Sequence, residues 1–144
     1  MGLDVRDGNC DAPIGARLPL YGSPVMRKAG AIKATPDIVV TRVIDGLRVI
    51  IEVKYKPLKG LPSRDDVNQA ITYASVYRTG HVFLAYPRRQ TGQPVIEEVG
   101  IVGSISLSVI LVDLDCEDLG KESAHVTASF ADYLAKRLSV TRKD

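Results

Sequence analysis

Apolar positions along the chain recur with a period of two in some stretches and near 3.6 in others, and each change of period marks an element. Ile32 to Thr41 and Leu47 to Tyr55 are two β-rich runs with Asp45-Gly46 between them, which predicts a hairpin. Pro57, Gly60 and Pro62 end it. Ser63 then stands as a helix N-cap, with Asp66 three residues later and Asp65 in the first turn, where acids suit the helix dipole. The spacing of Val67, Ile71, Ala74 and Tyr77 predicts a core stripe on a helix ending near Thr79, with Gly80 just beyond its C-terminus. His81 to Tyr86 is a compact strand stopped by Pro87, and Val95 to Val102 and Ser106 to Leu114 are two more. A last helix over about Glu122 to Leu138 turns Val126, Phe130, Tyr133, Leu134 and Leu138 inward. Residues 1–30 carry Pro13, Pro19 and Pro24 among five glycines and are expected to be irregular. The order β-β-α-β-β-β-α predicts an α/β fold, a mixed sheet flanked by helices. We expect one domain over 1–144: an irregular N-terminal segment at 1–30, a core at 31–87, and C-terminal strands and a helix at 88–144.

Composition narrows the class. A chain of 144 residues with 45% hydrophobic and 25% charged residues can bury a core without a disulfide or metal staple and is not disordered. The longest apolar run, Ile105 to Leu114, is broken by Ser106, Ser108 and Asp113 and is far below the roughly 20 residues that span a bilayer. No membrane partner is therefore expected. The start MGLDVRDGNC has neither the basic head nor the apolar stretch of a signal peptide. Cys10 and Cys116 lie far apart without CxxC spacing, which excludes a cysteine-based metal centre and leads us to expect a cytoplasmic protein with free thiols.

Three ionisable residues stand where a core strand would not place them. Asp37 follows Pro36 in the first run, and Glu52 and Lys54 interrupt the apolar run VIIEVKY. Strand alternation puts Glu52 and Lys54 on one side and Val53 on the other. Pairing of the two runs can bring Asp37 beside them. Two carboxylates and backbone carbonyls suit Mg²⁺, which prefers oxygen ligands. A lysine beside them can orient or deprotonate a water, or offset charge on phosphate oxygens. The alternative is a structural ion pair in which Lys54 bridges the acids.

Pro36-Asp37, fourteen residues and then Glu52-Val53-Lys54 resembles the PD-(D/E)xK nuclease signature. Gln69 and Tyr73, four apart on one helix face, resemble the Q-x-x-x-Y motif of the RecB-like branch of that superfamily. PDIVV, IIEVKYK, NQAITYA and FLAYP, in this order, look more closely like the nuclease domain of the McrC family. That resemblance covers roughly residues 32–87. It implies a restriction-endonuclease-like fold and a Mg²⁺-dependent DNA nuclease, with Mn²⁺ as a substitute, acting in restriction or DNA repair and leaving a 5′-phosphate. It implies metal ligation by Asp37, Glu52 and the Val53 carbonyl, catalysis by Lys54, and support from Gln69 and Tyr73. A GTP-driven, helicase-like motor partner and a homodimer are further implications. The chain departs from the McrC type in carrying Glu52 where Asp is usual, and in showing no acidic or histidine-bearing helix before the first strand. The alternative within this resemblance is a catalytically silent DNA-binding or assembly subunit.

The net charge of +2 hides an asymmetry. Residues 37–90 hold nine basic groups against five acids, whereas residues 91–144 hold five against nine. A basic middle is what a polyanion contact needs. Lys56, Lys59, Arg64, Arg88 and Arg89 are the DNA-binding candidates, expected to gather near Lys54.

Overall fold

The computed structural model describes residues 2–23, 25–89 and 92–138. Pro24, Gln90, which follows the Arg88-Arg89 pair, and the Leu138 side chain lie outside the described residues. A six-stranded mixed sheet forms the centre. Its strands are β1 (Leu3–Asp7), β4 (Ile38–Arg42), β5 (Arg48–Val53), β6 (His81–Pro87), β8 (Ile105–Val112) and β7 (Ile96–Val102), in that spatial order. β5, β6 and β8 run parallel, and the outer pairs are antiparallel. β2 (Leu18–Pro19) and β3 (Lys33–Ala34) make a separate two-stranded sheet.

Two helices cover the sheet. α1 (Arg64–Val76) crosses from β5 to β6 and packs on one face with Val39, Ile50, Leu84 and Tyr86. α2 (Leu119–Leu138) lies on the other face with Ile51, Phe83 and Ile110. Phe83 meets Phe130 and Tyr133 edge-on at 5.1 and 5.6 Å between ring centroids, an arrangement each pair favours by about 1 kcal/mol. Among the described residues, no helix is long and apolar enough to cross a membrane. Cys10 and Cys116 are both unpaired.

Several boundaries differ from the sequence expectation. The segment expected to be irregular contains β1, which pairs with β4 in the main sheet from Leu3↔Arg42 to Asp7↔Ile38. Its five residues lie ahead of the first close run of Gly and Pro, so nothing in them breaks a strand. A short 3-10 helix, Arg27–Ala31, also falls in that segment. The first predicted β run is divided at Pro36, whose missing N–H separates β3 from β4. The Asp45-Gly46 turn is part of a wider loop that Arg42 closes, its backbone N–H bonding the Leu47 carbonyl at 2.8 Å. α1 ends at Val76, ahead of Thr79, and the left-handed residue beyond it is Arg78 (φ 52°), not Gly80. Arg78 N–H reaches the Ser75 carbonyl and Thr79 N–H the Ala74 carbonyl, a Schellman closure. α2 starts three residues before Glu122, because the Asp118 carboxylate accepts the Lys121 N–H at 3.0 Å.

Candidate active site

The site forms where β4 begins and β5 ends. Glu52 shares the α1 face with Ile50, whereas Val53 packs among the residues of the α2 face, as strand alternation requires. Asp37 immediately precedes β4, and the antiparallel register Ile38↔Ile51 sets it beside Glu52. The two residues lock each other: Asp37 N–H donates to Glu52 Oε1 at 3.1 Å, and Val53 N–H donates to Asp37 Oδ2 at 2.7 Å. Gly8 braces this corner from the N-terminal loop. Its N–H donates to the Asp37 carbonyl at 3.2 Å, and a Cβ there would lie 1.9 Å from the Pro36 carbonyl oxygen.

Lys54 follows directly. Its Nζ donates to Gln69 Oε1 at 2.6 Å and lies 3.6 Å from both Glu52 Oε2 and Asp66 Oδ1. Gln69 in turn donates from Nε2 to Tyr73 Oη at 3.5 Å. The structure therefore brings Asp37, Glu52, Val53, Lys54, Gln69 and Tyr73 together where β4 begins and β5 ends. Gln69 is exposed, and Tyr73 is half-buried and also packs against the α1-side core.

Glu52 is only 3% exposed, and burial followed by the Asp37 charge pushes its carboxyl up to about 7. Hydrogen bonds from Asp37 N–H and Lys54 and the Lys54 charge oppose that rise without cancelling it. A buried acid whose charge is opposed by a neighbouring carboxylate, with the Val53 carbonyl next to it in the chain, is a donor set that fits a hard divalent cation whose remaining positions water fills. Among the described residues, no cluster of three or more acidic, histidine or cysteine side chains is arranged to hold a metal. A cation here would depend on this pair, the Val53 carbonyl and solvent.

Asp66 is the residue that sequence reasoning reduced to a helix-dipole acid. It is 6% exposed, contacts Lys54 and Lys56, and accepts the Tyr86 hydroxyl at 3.0 Å. Burial opposes its charge, but hydrogen bonds from Lys56, Ser63 and Tyr86 and the charge of Lys54 outweigh that and hold the carboxyl down to about 2. The available signal was its spacing, three before Gln69 and seven before Tyr73, on the same helix face.

The five cations do not form one patch. Lys56 lies beside the site, 2.8 Å from Asp66 Oδ2 and 3.4 Å from Ser63 Oγ, and exposed Arg64 follows Ser63 as the first residue of α1. Lys59 and Arg89 line a shared surface cleft of about 330 Å³ with Gly60 and Pro87. Arg88 departs from the expected cluster. Its guanidinium lies 3.1 Å from Glu122 and 3.6 Å from Asp113, clasping α2 to the end of β8.

These residues stand on an α/β fold with a mixed six-stranded sheet flanked by helices, compatible with a restriction-endonuclease-like core. A solved structure shares that fold: a chain of the refined half-complex from the tetradecameric assembly of Thermococcus gammatolerans McrB AAA+ hexamers with bound McrC. The two agree with a TM-score of 0.53 and 17% identity over 85% of this chain. This chain spans 29% of the length of that neighbour. No family model and no curated protein matches the sequence.

Proposed function

We propose that this chain is a Mg²⁺-dependent deoxyribonuclease of a restriction type that works beside a motor partner. The observation that carries the reading is the convergence of Asp37, Glu52 and Lys54 at the adjoining ends of β4 and β5, with Glu52 held near 7 by burial and by the Asp37 charge. The fold shared with a chain of the assembly of McrB AAA+ hexamers with bound McrC supports the restriction setting and the motor. Asp37, Glu52 and the Val53 carbonyl would hold Mg²⁺, and Mn²⁺ would substitute. When bound, the cation supplies a Lewis acid that polarises the phosphodiester and activates water for attack. Lys54, ringed by acceptors on Glu52, Gln69 and Asp66, presents its ammonium to the phosphate oxygens as negative charge develops on them. Gln69 fixes that ammonium, and Tyr73 backs Gln69. Lys56, Lys59, Arg64 and Arg89 would contact the DNA backbone, while Arg88 reaches a phosphate only by releasing its clasp. A homodimer would place two such sites on the two strands of a duplex.

The test is a cleavage panel of single-stranded, duplex and branched DNA with Mg²⁺ or Mn²⁺. We expect cleavage of at least one substrate, lowered on the order of 10³-fold in Asp37→Ala with the melting temperature retained. Wild-type protein that binds DNA and cuts none of these substrates would leave the silent DNA-binding or assembly subunit in its place.

A further inference from the structure

Helix capping does not account for Asp66. An acid that merely favoured the helix dipole would sit in water, yet this one is buried and its two oxygens are divided between two lysines. Its backbone is fixed as well, since its N–H donates to Ser63 Oγ at 3.3 Å. Tyr86, buried in β6, donates its hydroxyl to Oδ2 and holds the carboxylate from the sheet face beneath α1. Resting on the nuclease reading above, we infer that Asp66 is a positioning residue. Oδ1 holds Lys54 inward beside Glu52 and Gln69, and Oδ2 holds Lys56 outward where its half-exposed ammonium can meet a phosphate.

The geometry gives this role physical content. A lysine ammonium is a compact charge on a flexible stem and goes to the nearest acceptors. Lys54 Nζ stands at the same 3.6 Å from Glu52, which belongs to the ligand pair, and from Asp66, which does not. Remove the Asp66 charge, and Lys54 is drawn towards Glu52 and Asp37. There it competes with a divalent cation for the same carboxylates and leaves the place from which it serves the phosphate. Lys56 loses its nearest acid in the same change and swings free in solvent. One buried carboxylate thus couples the inward lysine to the DNA-facing one.

Asp66→Asn keeps the shape and removes the charge. Its effects separate from those of a merely structural residue in three measurements on the full chain. In ¹H–¹⁵N spectra of the lysine ammonium groups, both Lys54 and Lys56 should shift, and unchanged signals overturn the proposal. In calorimetric Mn²⁺ titrations, affinity should fall about tenfold, in the range seen when a partner outside the ligand set is lost. The same substitution made on Lys54→Ala should cost no further affinity, because no ammonium remains to intrude. An equal loss in both backgrounds overturns the competition. In cleavage, kcat should fall about 10- to 100-fold while KM for DNA changes less. A retained kcat in protein with shifted lysine signals overturns the catalytic consequence. If wild-type protein neither binds Mn²⁺ nor cuts DNA, the nuclease reading fails, and the lysine spectra still decide whether Asp66 holds both ammonium groups.

Discussion

Lys54 stands between Glu52 and Asp66, and Arg88 stands between Glu122 and Asp113. Both cations lie just past the ends of neighbouring parallel strands, β5 and β6, so the two clusters have similar ingredients in similar places. Their electrostatics differ. In the Arg88 cluster, Glu122 Oε1 receives both the guanidinium and the Asp113 N–H at 2.8 Å, and it sits in the first turn of α2, where the helix dipole favours an anion. That arrangement surrounds the buried acid with positive charge and ties a helix to a strand. In the Lys54 cluster, Asp37 and Glu52 face each other, and the nearby ammonium does not stop Glu52 from rising to about 7. One cluster is a clasp in which each acid faces the guanidinium rather than the other acid. In the other, two carboxylates repel each other in a buried place, a further cation would relieve them, and the lysine nearest to them is shared with Asp66. The distinction between a structural ion pair and a site is therefore found in where the compensating charges go, not in the residue types.

The largest effect that could break this comparison comes from removing the two cations separately. Lys54→Ala should reduce metal-dependent cleavage on the order of 10³-fold at temperatures where the variant is folded. Arg88→Ala should spare cleavage and act on stability. It strands two acids around a guanidinium position only 13% exposed, which costs about 3 kcal/mol in denaturant unfolding, while kcat survives at temperatures where the variant is folded. A fully stable Arg88→Ala that cannot cut DNA would turn the clasp into a second functional cluster.

The next effect is read as a pH slope. Glu52 has an ordinary value of 4.5 and a folded value of about 7. Below 4.5 the carboxyl is protonated in both states and no stability is lost. Between those values the folded protein keeps the proton that the unfolded chain releases, so metal-free stability falls as pH rises, by about 3 kcal/mol in all, and levels off above 7. Glu52→Gln should remove this slope, leave the metal-free protein more stable than wild type at pH 8, and abolish stabilisation by Mn²⁺. Asp66 runs the other way: its contribution is full above its ordinary 3.8 and is lost as pH falls through about 2. A wild-type slope that Glu52→Gln leaves unaltered would remove the repulsion account of the site.

The difference between the clusters was only partly legible in the sequence. Asp37, Glu52 and Lys54 were legible because they interrupt apolar strands, and a period of two already separates Glu52 and Lys54 from Val53. The Gln69 and Tyr73 pair was legible as one helix face. Asp66 was not, since its meaning depends on Tyr86 from β6 and Lys56 from the loop after β5, contacts that no local pattern encodes. Arg88 and Arg89 are adjacent in the chain and were read alike, yet Arg88 turns to Glu122, 34 positions away, while Arg89 lines the cleft with Lys59. The end of α1 was misplaced for a related reason. Gly80 is the obvious stop by composition, but the hydrogen bonds close one turn at Arg78, which accepts a left-handed backbone. The main fold was legible because long periodic runs dominate it. β1, five residues with alternating charges, becomes a strand only because β4 offers it an edge.

The smallest effect separates Lys56, proposed to meet DNA, from the clasp cation. Lys56 has a side chain 57% exposed, against 13% for Arg88, so of the two only Lys56 can meet a phosphate while keeping its acid. Asp66 keeps Lys54, Ser63 and Tyr86 as partners when Lys56 is removed, so Lys56→Ala should remain folded. With Ca²⁺ in place of Mg²⁺ to suppress cutting, the dependence of log K on log salt should become shallower by about one phosphate contact in Lys56→Ala. Arg88→Ala, measured below its melting temperature, should keep the wild-type slope. A shallower slope in Arg88→Ala and an unchanged one in Lys56→Ala would reverse the assignment, and the DNA would then track the α2 side of the strand ends.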